Sequence, residues 1–246
     1  MAPDVVLLHG FTHTGASWDP VVAALAESYR ALDEAYRVVA PDIRGHGSAS
    51  DRVPVALEGV LHDFAMVAPG RCTLAGYSMG GRIALHAALA LPGRVDRLVL
   101  IGASPGIADP GERAARRRDD ERLAGEIEAS TIEGFAARWA QTPVLAGQPP
   151  AVATAVQADR LRNDPAGLAR ALRGLGTGAL PSLWDRLPEI KMPVALVVGE
   201  RDEKFRTVAG KMASGLARGE VVVVPGAGHA VHLEAPGAVA QILRDF

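Results

Sequence analysis

Six short runs of apolar and β-branched residues divide the chain, and within each run the apolar residues are continuous instead of alternating with polar ones. Strands that are buried on both faces have this pattern, which is typical of parallel sheets covered by helices. Helical patterns lie between several of the runs, at residues 20–29, 81–91 and 205–216. The chain is therefore predicted to have an α/β fold with a mostly parallel sheet flanked by helices. The predicted strands are residues 5–9, 38–40, 72–75, 98–101, 194–198 and 221–224.

One long segment interrupts this alternation of strands and helices. Between residues 101 and 194 the sequence is rich in Ala, Leu, Arg and Glu and contains no convincing strand. The segment is much longer than a single crossover connection needs to be. We predict that residues 104–187 form a helical cap. The cap would be inserted between the two parts of one core, residues 1–103 and 188–246.

The composition excludes several classes of protein. Of the 246 residues, 48% are hydrophobic, which is an ordinary globular composition and excludes a mainly disordered chain. No apolar run approaches the ~18 residues that cross a bilayer, and the first residues lack the basic and apolar segments of a secretory signal. A cytoplasmic protein without a membrane span is therefore expected. The net charge of −2 and the aromatic content of 4% do not suit a nucleic-acid partner.

Metal and cofactor sites are not indicated. The single cysteine, Cys72, lies in a predicted strand, so we expect neither a disulfide within the chain nor a cysteine metal cluster. His229 and His232 have a spacing that a metal could use, but no third ligand is evident. The glycine-rich stretch at residues 174–178 follows no predicted strand and does not indicate a dinucleotide site. We predict no metal and no cofactor, and nothing in the sequence indicates an oligomeric state.

The strand at residues 72–75 leads into Gly76-Tyr77-Ser78-Met79-Gly80, and a helical pattern follows directly. This is the G-x-S-x-G motif in the strand–turn–helix context that it requires. Glycines two residues on either side of Ser78 allow a strand to reverse tightly into a helix. The helix N-terminus then faces any negative charge that develops beside the serine. Ser78 is therefore predicted to act as a nucleophile or as a base.

A serine hydroxyl needs a neighbouring base, and the chain contains seven histidines. His229 follows the last predicted strand, at the same sheet edge as the elbow, whereas the others have structural explanations in helices or loops. A carboxylate must orient the imidazole. Asp202 follows the strand at residues 194–198 and fits this role, with Glu200 as the alternative. The chain order Ser78, Asp202, His229 is that of the triad of α/β-hydrolases.

Two backbone N–H groups are predicted to form an oxyanion hole. The first strand ends at His9-Gly10-Phe11, which places the amide of Phe11 opposite that of Met79, the residue after the elbow serine. A donor of this kind contributes about 3 kcal/mol in the transition state. The side chain of His9 is expected to form hydrogen bonds that brace this loop.

With these residues in place, the chain resembles the α/β-hydrolase superfamily over nearly its whole length. Within the superfamily it is similar to the 2-succinyl-6-hydroxy-2,4-cyclohexadiene-1-carboxylate synthases of menaquinone biosynthesis. The similarity rests on residues 76–82, 112–118, 139–143, 161–163 and 199–206. It implies a lyase that eliminates pyruvate from 2-succinyl-5-enolpyruvyl-6-hydroxy-3-cyclohexene-1-carboxylate. In that family the elbow serine, activated by the histidine, abstracts a proton from carbon.

The resemblance also implies which side chains bind the substrate, a small molecule with several carboxylates. Arginine suits such a substrate because its guanidinium group binds carboxylates through two parallel hydrogen bonds. The arginines that match the family are Arg82, Arg116 and Arg162, the matching pocket aromatic is Trp139, and Tyr77 adjoins the elbow serine.

The arginines of the cap have a structural interpretation as well. Arg116 and Asp120 have the i,i+4 spacing of an ion pair on a solvated helix, and so have Arg117 and Glu121. Residues 116–118 are three consecutive arginines, so the sequence leaves open which of them corresponds to the substrate-binding arginine of the family. Arg82 differs because it lies in the first turn of the elbow helix, where an anion is favoured.

Two other functions remain open at the level of sequence. The same triad would serve a serine hydrolase of small esters or carbon–carbon bonds, and the loop at residues 13–18 is similar to that of many such hydrolases. The fold also occurs in non-catalytic ligand-binding modules. The chain begins almost at its first strand, so we expect the antiparallel hairpin that is usual at the N-terminus of the superfamily to be missing.

Overall fold

The computed structural model describes residues 4–31, 37–68, 70–142, 145 and 147–246. Two expectations depend partly on residues outside these ranges. The expected absence of a secretory signal depends on Met1–Pro3, and one of the runs on which the family similarity rests includes Pro143. The strands are β1 (Asp4–Leu8), β2 (Arg37–Val39), β3 (Cys72–Tyr77), β4 (Val95–Ile101), β5 (Val194–Gly199) and β6 (Gly219–Val224). They form one sheet with the order β2-β1-β3-β4-β5-β6, and every pairing described between neighbours is parallel.

The apolar pattern of the strands follows from burial on both faces of this sheet. Successive side chains of a strand point to opposite faces. Val5 and Leu7 therefore join one hydrophobic cluster, whereas Val6 and Leu8 join the other. Every residue of the central strands β3 and β5 is buried, while the edge strand β6 is partly exposed. No polar alternation is needed where both faces are covered.

Helices supply the cover on each face. The described helices are α1 (Asp19–Ala31), α2 (Leu57–Val67), α3 (Met79–Ala90), α4 (Pro110–Glu128), α5 (Ile132–Trp139), α6 (Pro150–Arg160), α7 (Pro165–Leu175), α8 (Glu203–Gly215), α9 (Val231–Glu234) and α10 (Pro236–Asp245). Apolar residues of α1 and α10 cover one face of the sheet, and those of α2, α3 and α8 cover the other. None of the described helices is long and apolar enough to span a bilayer.

The four helices α4 to α7 lie between β4 and β5, in the segment predicted to be the cap. Helix α4 packs against α7, and Ile127, Phe135 and Leu168 belong to a small hydrophobic cluster of their own. Phe11 of the core and Trp139 of α5 pack against that cluster. Helices α4 and α7 each begin at a proline that follows a capping aspartate, which fixes where they start.

The structure confirms the six strands and the three helices predicted from the sequence, with differences of one to three residues at their ends. The ends differ because backbone pairing with neighbouring strands, which local sequence does not encode, determines where a strand stops. No antiparallel pair occurs among the described strands. Leu183 and Leu187 pack with the main core, near the predicted end of the cap. The division at residues 103/104 and 187/188 stays a prediction.

Candidate active site

Ser78 lies in a tight turn between β3 and α3. Its φ and ψ angles are 51° and −107°, a conformation that costs about 1–3 kcal/mol for a residue other than glycine. The neighbouring glycines make the turn sterically possible. A Cβ atom on Gly76 would lie 2.4 Å from the carbonyl oxygen of Gly80, and one on Gly80 would lie 2.2 Å from that of Leu8. The elbow therefore presents Ser78 at the carboxyl edge of the sheet.

Ser78, His229 and Asp202 meet at this edge. His229 Nδ1 lies 2.6 Å from Asp202 Oδ2, and His229 Nε2 lies 3.4 Å from Ser78 Oγ. An ionised carboxylate can only accept a hydrogen bond, so Nδ1 carries the proton and Nε2 faces the hydroxyl with its lone pair. Asp202 also caps α8, where its Oδ1 accepts a bond of 3.3 Å from the amide of Phe205. This arrangement can remove the proton from Ser78 Oγ.

The two proposed oxyanion donors are the amides of Met79 and Phe11. Met79 is the first residue of α3, so its N–H has no acceptor within the helix. The loop that carries Phe11 lies against the elbow, because a Cβ atom on Gly10 would come within 2.7 Å of the Tyr77 ring. The Trp139 ring meets Phe11 edge to face, with ring centres 5.5 Å apart. Trp139 therefore contacts Phe11, and its role in a substrate pocket stays a prediction.

His9 forms the bracing hydrogen bonds expected of it. Its Nδ1 lies 2.9 Å from the carbonyl oxygen of Gly10, and its Nε2 accepts a bond of 2.9 Å from the amide of Ile43. Burial lowers the pKa of His9 to about 4, so the ring is neutral in the working pH range. A neutral ring can donate through one nitrogen and accept through the other, as this loop requires.

Tyr77 is buried under the triad. Its ring centre lies 5.3 Å from that of His229 and 4.3 Å from that of His232. Only 3% of Tyr77 is exposed, and burial raises the pKa of its hydroxyl. Neither ring nitrogen of the fully buried His232 has a hydrogen-bond partner among the described residues. The Tyr77 ring thus contacts the rings of both His229 and His232.

Arg82 projects from the first turn of α3 and is 7% exposed. Its Nη2 donates a long bond of 3.4 Å to the carbonyl oxygen of Leu175, and its Nε has no partner among the described residues. Burial lowers the pKa of Arg82 to about 10, with a further lowering by Arg116 and an opposing effect of Asp120. A buried guanidinium group with a free N–H is ready to bind an anion.

Arg116 is already occupied by a carboxylate of its own helix. Its Nε donates to Asp120 Oδ1 over 2.6 Å, and Asp120 Oδ2 also accepts a bond of 3.2 Å from the amide of Gly178. The side chain of Arg116 is 45% exposed. Of the two i,i+4 ion pairs considered from the sequence, the one between Arg116 and Asp120 is present, whereas Glu121 pairs with Arg173. Arg116 lies close to Arg82, and its guanidinium group is bound to Asp120.

Arg162 and Arg160 have opposite environments. Arg162 is exposed and lines an open groove of about 510 Å³ together with Asp42 and Ser48, and the triad residues do not line that groove. Arg160 is 3% exposed, and its Nε and Nη2 have no partner among the described residues. Burial lowers the pKa of Arg160, whereas Tyr77 and Asp159 act to raise it. The buried arginine of this segment is thus Arg160, which the sequence reasoning missed.

Arg160 belongs to a buried face at the end of α6. The buried residues at the end of α6 and just beyond it are Val156, Asp159, Arg160 and Asn163, with the i, i+3, i+4, i+7 spacing of one helix face. Arg162 lies two residues and about 200° further round the helix, on the outer side. Arg160 therefore faces inward, whereas Arg162, the residue that matches the family pattern, faces outward.

The residues on either side of Arg160 attach this helix to the core. Asp159 Oδ2 accepts a bond of 3.0 Å from the amide of Thr14 and lies 3.2 Å from His13 Nδ1. Asn163 Nδ2 donates over 2.9 Å to the carbonyl oxygen of Thr12, a residue with a φ of +69°. These bonds fix Arg160 relative to the loop that also contains Phe11.

Comparison with known proteins agrees with this architecture. A profile of the alpha/beta hydrolase family matches residues 5–242. The chain belongs to the alpha/beta hydrolase family. The six parallel strands, the flanking helices and the inserted helices are thus the α/β-hydrolase fold that the sequence predicted, and the resemblance to its synthases is confirmed.

The relatives within this family carry one recurrent name. The chain is 31% identical to the 2-succinyl-6-hydroxy-2,4-cyclohexadiene-1-carboxylate synthase of Enterobacter sp. (strain 638), over 98% of this chain and 92% of the relative. It is 35% identical to a Bacillus subtilis (strain 168) protein named provisionally as the same synthase, over 98% and 89%. The solved structure of MenH from S. aureus matches with a TM-score of 0.88 and 29% identity, over 98% and 92% of the two chains.

A hydrolase of the same family is also similar in structure. A thermophilic esterase from Thermogutta terrifontis, solved with malate bound, matches with a TM-score of 0.80 and 26% identity, over 100% of this chain and 89% of the esterase. In this chain, no group of three or more His, Cys, Asp or Glu side chains among the described residues is arranged to hold a metal ion.

Proposed function

We propose that this α/β-hydrolase is a lyase that eliminates pyruvate from 2-succinyl-5-enolpyruvyl-6-hydroxy-3-cyclohexene-1-carboxylate and yields 2-succinyl-6-hydroxy-2,4-cyclohexadiene-1-carboxylate. The observation that carries the proposal is a pair of buried arginines, Arg82 and Arg160, with N–H groups that have no hydrogen-bond partner in the part of the chain that the structure describes. Such groups are costly unless an anion binds to them. The name shared by relatives at 31–35% identity over nearly the whole chain supports the same conclusion.

The two chemical names define the bond changes. The substrate has a ring double bond at carbon 3 and an enolpyruvyl ether at carbon 5, whereas the product has double bonds at carbons 2 and 4 and no ether. Loss of the proton from carbon 2 forms the double bond to carbon 3, shifts the old one to carbons 4 and 5, and breaks the carbon 5–oxygen bond. Carbon 2 carries the succinyl carbonyl, so its negative charge develops on that carbonyl oxygen.

The triad supplies the base for this elimination. Ser78 Oγ takes the proton from carbon 2 while His229 Nε2 takes the hydroxyl proton, and Asp202 stabilises the resulting imidazolium. The amides of Phe11 and Met79 donate to the succinyl oxygen as its charge grows. The imidazolium then gives its proton to the departing enolpyruvate, which leaves as pyruvate.

The arginines bind the carboxylates of the substrate. We assign this role to Arg82 and Arg160, because both are buried and carry free donors. Arg116 contributes positive charge next to Arg82 while it stays paired with Asp120. Trp139 and Tyr77 supply aromatic surface beside Phe11 and His229. This assignment replaces Arg162, which is exposed, with Arg160.

Pyruvate release by the pure protein tests the proposal. We expect pyruvate and the cyclohexadiene product in equal amounts, and we expect Ser78→Ala to abolish turnover without a change in folding. Absence of pyruvate release above background would reject the lyase. A non-catalytic binding module, the weakest alternative, would bind the same molecule without converting it and would be unaffected by Ser78→Ala.

Hydrolysis of small esters is the second candidate function. The triad is equally suited to it, and the similarity to the Thermogutta terrifontis esterase favours it. An esterase would turn over neutral acyl esters through an acyl group on Ser78. Arg82→Met separates the two functions, because it should weaken turnover of the anionic substrate and leave that of a neutral ester nearly unchanged.

A cytoplasmic location is part of the proposal. Its support is the cysteine content, since a chain with a single buried Cys72 uses no disulfide of its own.

A further inference from the structure

Two loops determine the relative positions of Asp202 and His229. The acid loop, residues 200–202, follows β5, and the histidine loop, residues 225–229, follows β6. A Cβ atom on Gly199 would lie 2.1 Å from the carbonyl oxygen of Gly228, so the loops touch through their backbones. The amide of Arg201 also donates to the carbonyl oxygen of Ala227 over 3.0 Å. The position of His229 therefore depends on how these loops are joined.

Arg201 joins the two loops with its side chain. Its Nε donates to the carbonyl oxygen of Gly226 over 3.0 Å, and its Nη2 donates to Glu234 Oε2 over 2.6 Å. Its Nη1 donates to the carbonyl oxygen of Gly147, in the segment that precedes α6, over 2.9 Å. All three nitrogens of the guanidinium group are thus engaged, next to Asp202 in the chain.

Glu234 completes the connection from the other side. It ends the short helix α9, and its side chain is only 3% exposed. Its Oε2 accepts a bond of 2.9 Å from the amide of Gly228, the residue directly before His229. Without Arg201, this buried carboxylate would keep one amide donor among the described residues, which does not compensate a buried charge. The carboxylate therefore needs Arg201 in order to hold Gly228.

We infer that Arg201 and Glu234 are positioning residues: their ion pair fixes Gly228 and thereby aligns His229 between Asp202 and Ser78. The inference rests on the proposed role of the triad, but it concerns its alignment and not the substrate. Neither residue touches the reacting atoms. A displacement of about 1 Å can cost about 100-fold in rate. Loss of the pair should therefore lower kcat and leave KM nearly unchanged.

The test compares Arg201→Met and Glu234→Gln with a matched control, Arg186→Met. Arg186 forms an exposed ion pair with Glu189 elsewhere on the surface, so its loss should change nothing at the triad. We expect the first two variants to lower kcat for pyruvate release about 10- to 100-fold. Arg201→Lys should retain part of the kcat that Arg201→Met loses, because lysine keeps the charge beside Glu234 and loses the bond to Gly226.

Two measurements are independent of the substrate. The rate at which a fluorophosphonate labels Ser78 should fall in parallel with kcat, because that reaction needs the same histidine. The downfield proton resonance of the His229 Nδ1–H group should broaden or shift. A wild-type enzyme that is labelled but releases no pyruvate would reject the proposed function and still allow the pair to be tested.

Two outcomes would overturn the inference. The first is a lower melting temperature in Arg201→Met or Glu234→Gln with unchanged kcat and labelling rate, which would mean that the pair only stabilises the loops. The second is a higher KM at unchanged kcat, which would mean that the pair acts on binding. If Arg201→Met fails to fold, Arg201→Lys and Glu234→Gln provide the same comparison.

Discussion

Replacement of Arg160 by methionine should affect stability and activity in opposite directions. Arg160 is 3% exposed, and its Nε and Nη2 have no partner among the described residues. Burial of this cation destabilises the folded state and lowers the pKa of Arg160, and the opposing effects of Tyr77 and Asp159 offset only part of it. Methionine has a similar length and no charge. We therefore expect Arg160→Met to be at least as stable as the wild type, with a gain of roughly 1 kcal/mol in the free energy of unfolding.

The expected loss of activity follows from the same two donors. A hydrogen bond between charged partners contributes about 1.5–3 kcal/mol, and Nε and Nη2 offer two of them to one carboxylate. Side-chain ordering and desolvation of the substrate reduce the sum, so about 3 kcal/mol is a reasonable net value. Because 1.36 kcal/mol corresponds to a factor of ten, kcat/KM for the anionic substrate should fall about 100-fold.

Arg162→Met is the matched control for this prediction. Arg162 lies on the outer side of the same helical segment and is exposed, so its loss should change kcat/KM little. The assay is pyruvate release at substrate concentrations well below KM, with urea unfolding of each variant for stability. A large loss in Arg162→Met together with normal activity in Arg160→Met would refute the reasoning. A marked loss of stability in Arg160→Met would show that its charge is compensated.

Three further predictions concern the triad and the dependence on pH. Asp202→Asn should lower kcat on the order of 10³- to 10⁴-fold, because an amide can donate to His229 Nδ1 and favour the wrong tautomer; steady-state kinetics that retain a tenth of the activity would contradict this. In Asp159, bonds from His13 and Thr14 outweigh burial and hold the pKa at about 2, so its stabilisation is complete above pH ~4 and is lost as the pH falls toward 2. Asp159→Asn should therefore be less stable than the wild type by about 2 kcal/mol in urea at pH 5, and the difference should shrink by pH 3; a constant difference would contradict it. Burial also lowers the pKa of several histidines, so the stability that their neutral rings contribute above pH ~6.5 is lost as the pH falls toward 4; urea unfolding at pH 7, 6 and 5 checks this, and a free energy of unfolding that does not decrease over this range would contradict it. The histidines with these shifts are His9, His46 and His86, whose pKa values lie at about 4, about 3 and about 4.

The sheet and the elbow were predictable because their signals are local. A strand buried on both faces is apolar throughout, and the elbow needs glycine at residues 76 and 80 within five consecutive positions. The acid and the histidine were predictable for a related reason. Each follows a parallel strand, and parallel strands bring their carboxyl ends to one edge. Sequence order and sheet geometry together are enough to bring Ser78, Asp202 and His229 near one another.

The arginines were not predictable from residue type alone. Arg116 and Arg162 match a family pattern, yet one is paired with Asp120 and the other faces the outside. What distinguishes Arg160 is contact between residues about 150 positions apart, since Asp159 and Asn163 bond to Thr14 and Thr12. Short motifs do not encode such contacts. The Arg201–Glu234 pair escaped notice because its partners lie 33 residues apart in separate loops.

The position of Arg160 on α6 suggests how one triad can serve different reactions. Asp159 and Asn163 attach the end of this helix to residues 12–14, in the loop that also carries the Phe11 amide. In the proposed mechanism, the carboxylate site at Arg160 and the oxyanion site at the Phe11 amide are thus positioned by the same hydrogen bonds. Any change in the cap that shifts α6 must move both together. In the proposed mechanism the triad removes a proton, whereas the predicted cap selects the substrate that presents its acidic carbon to Ser78.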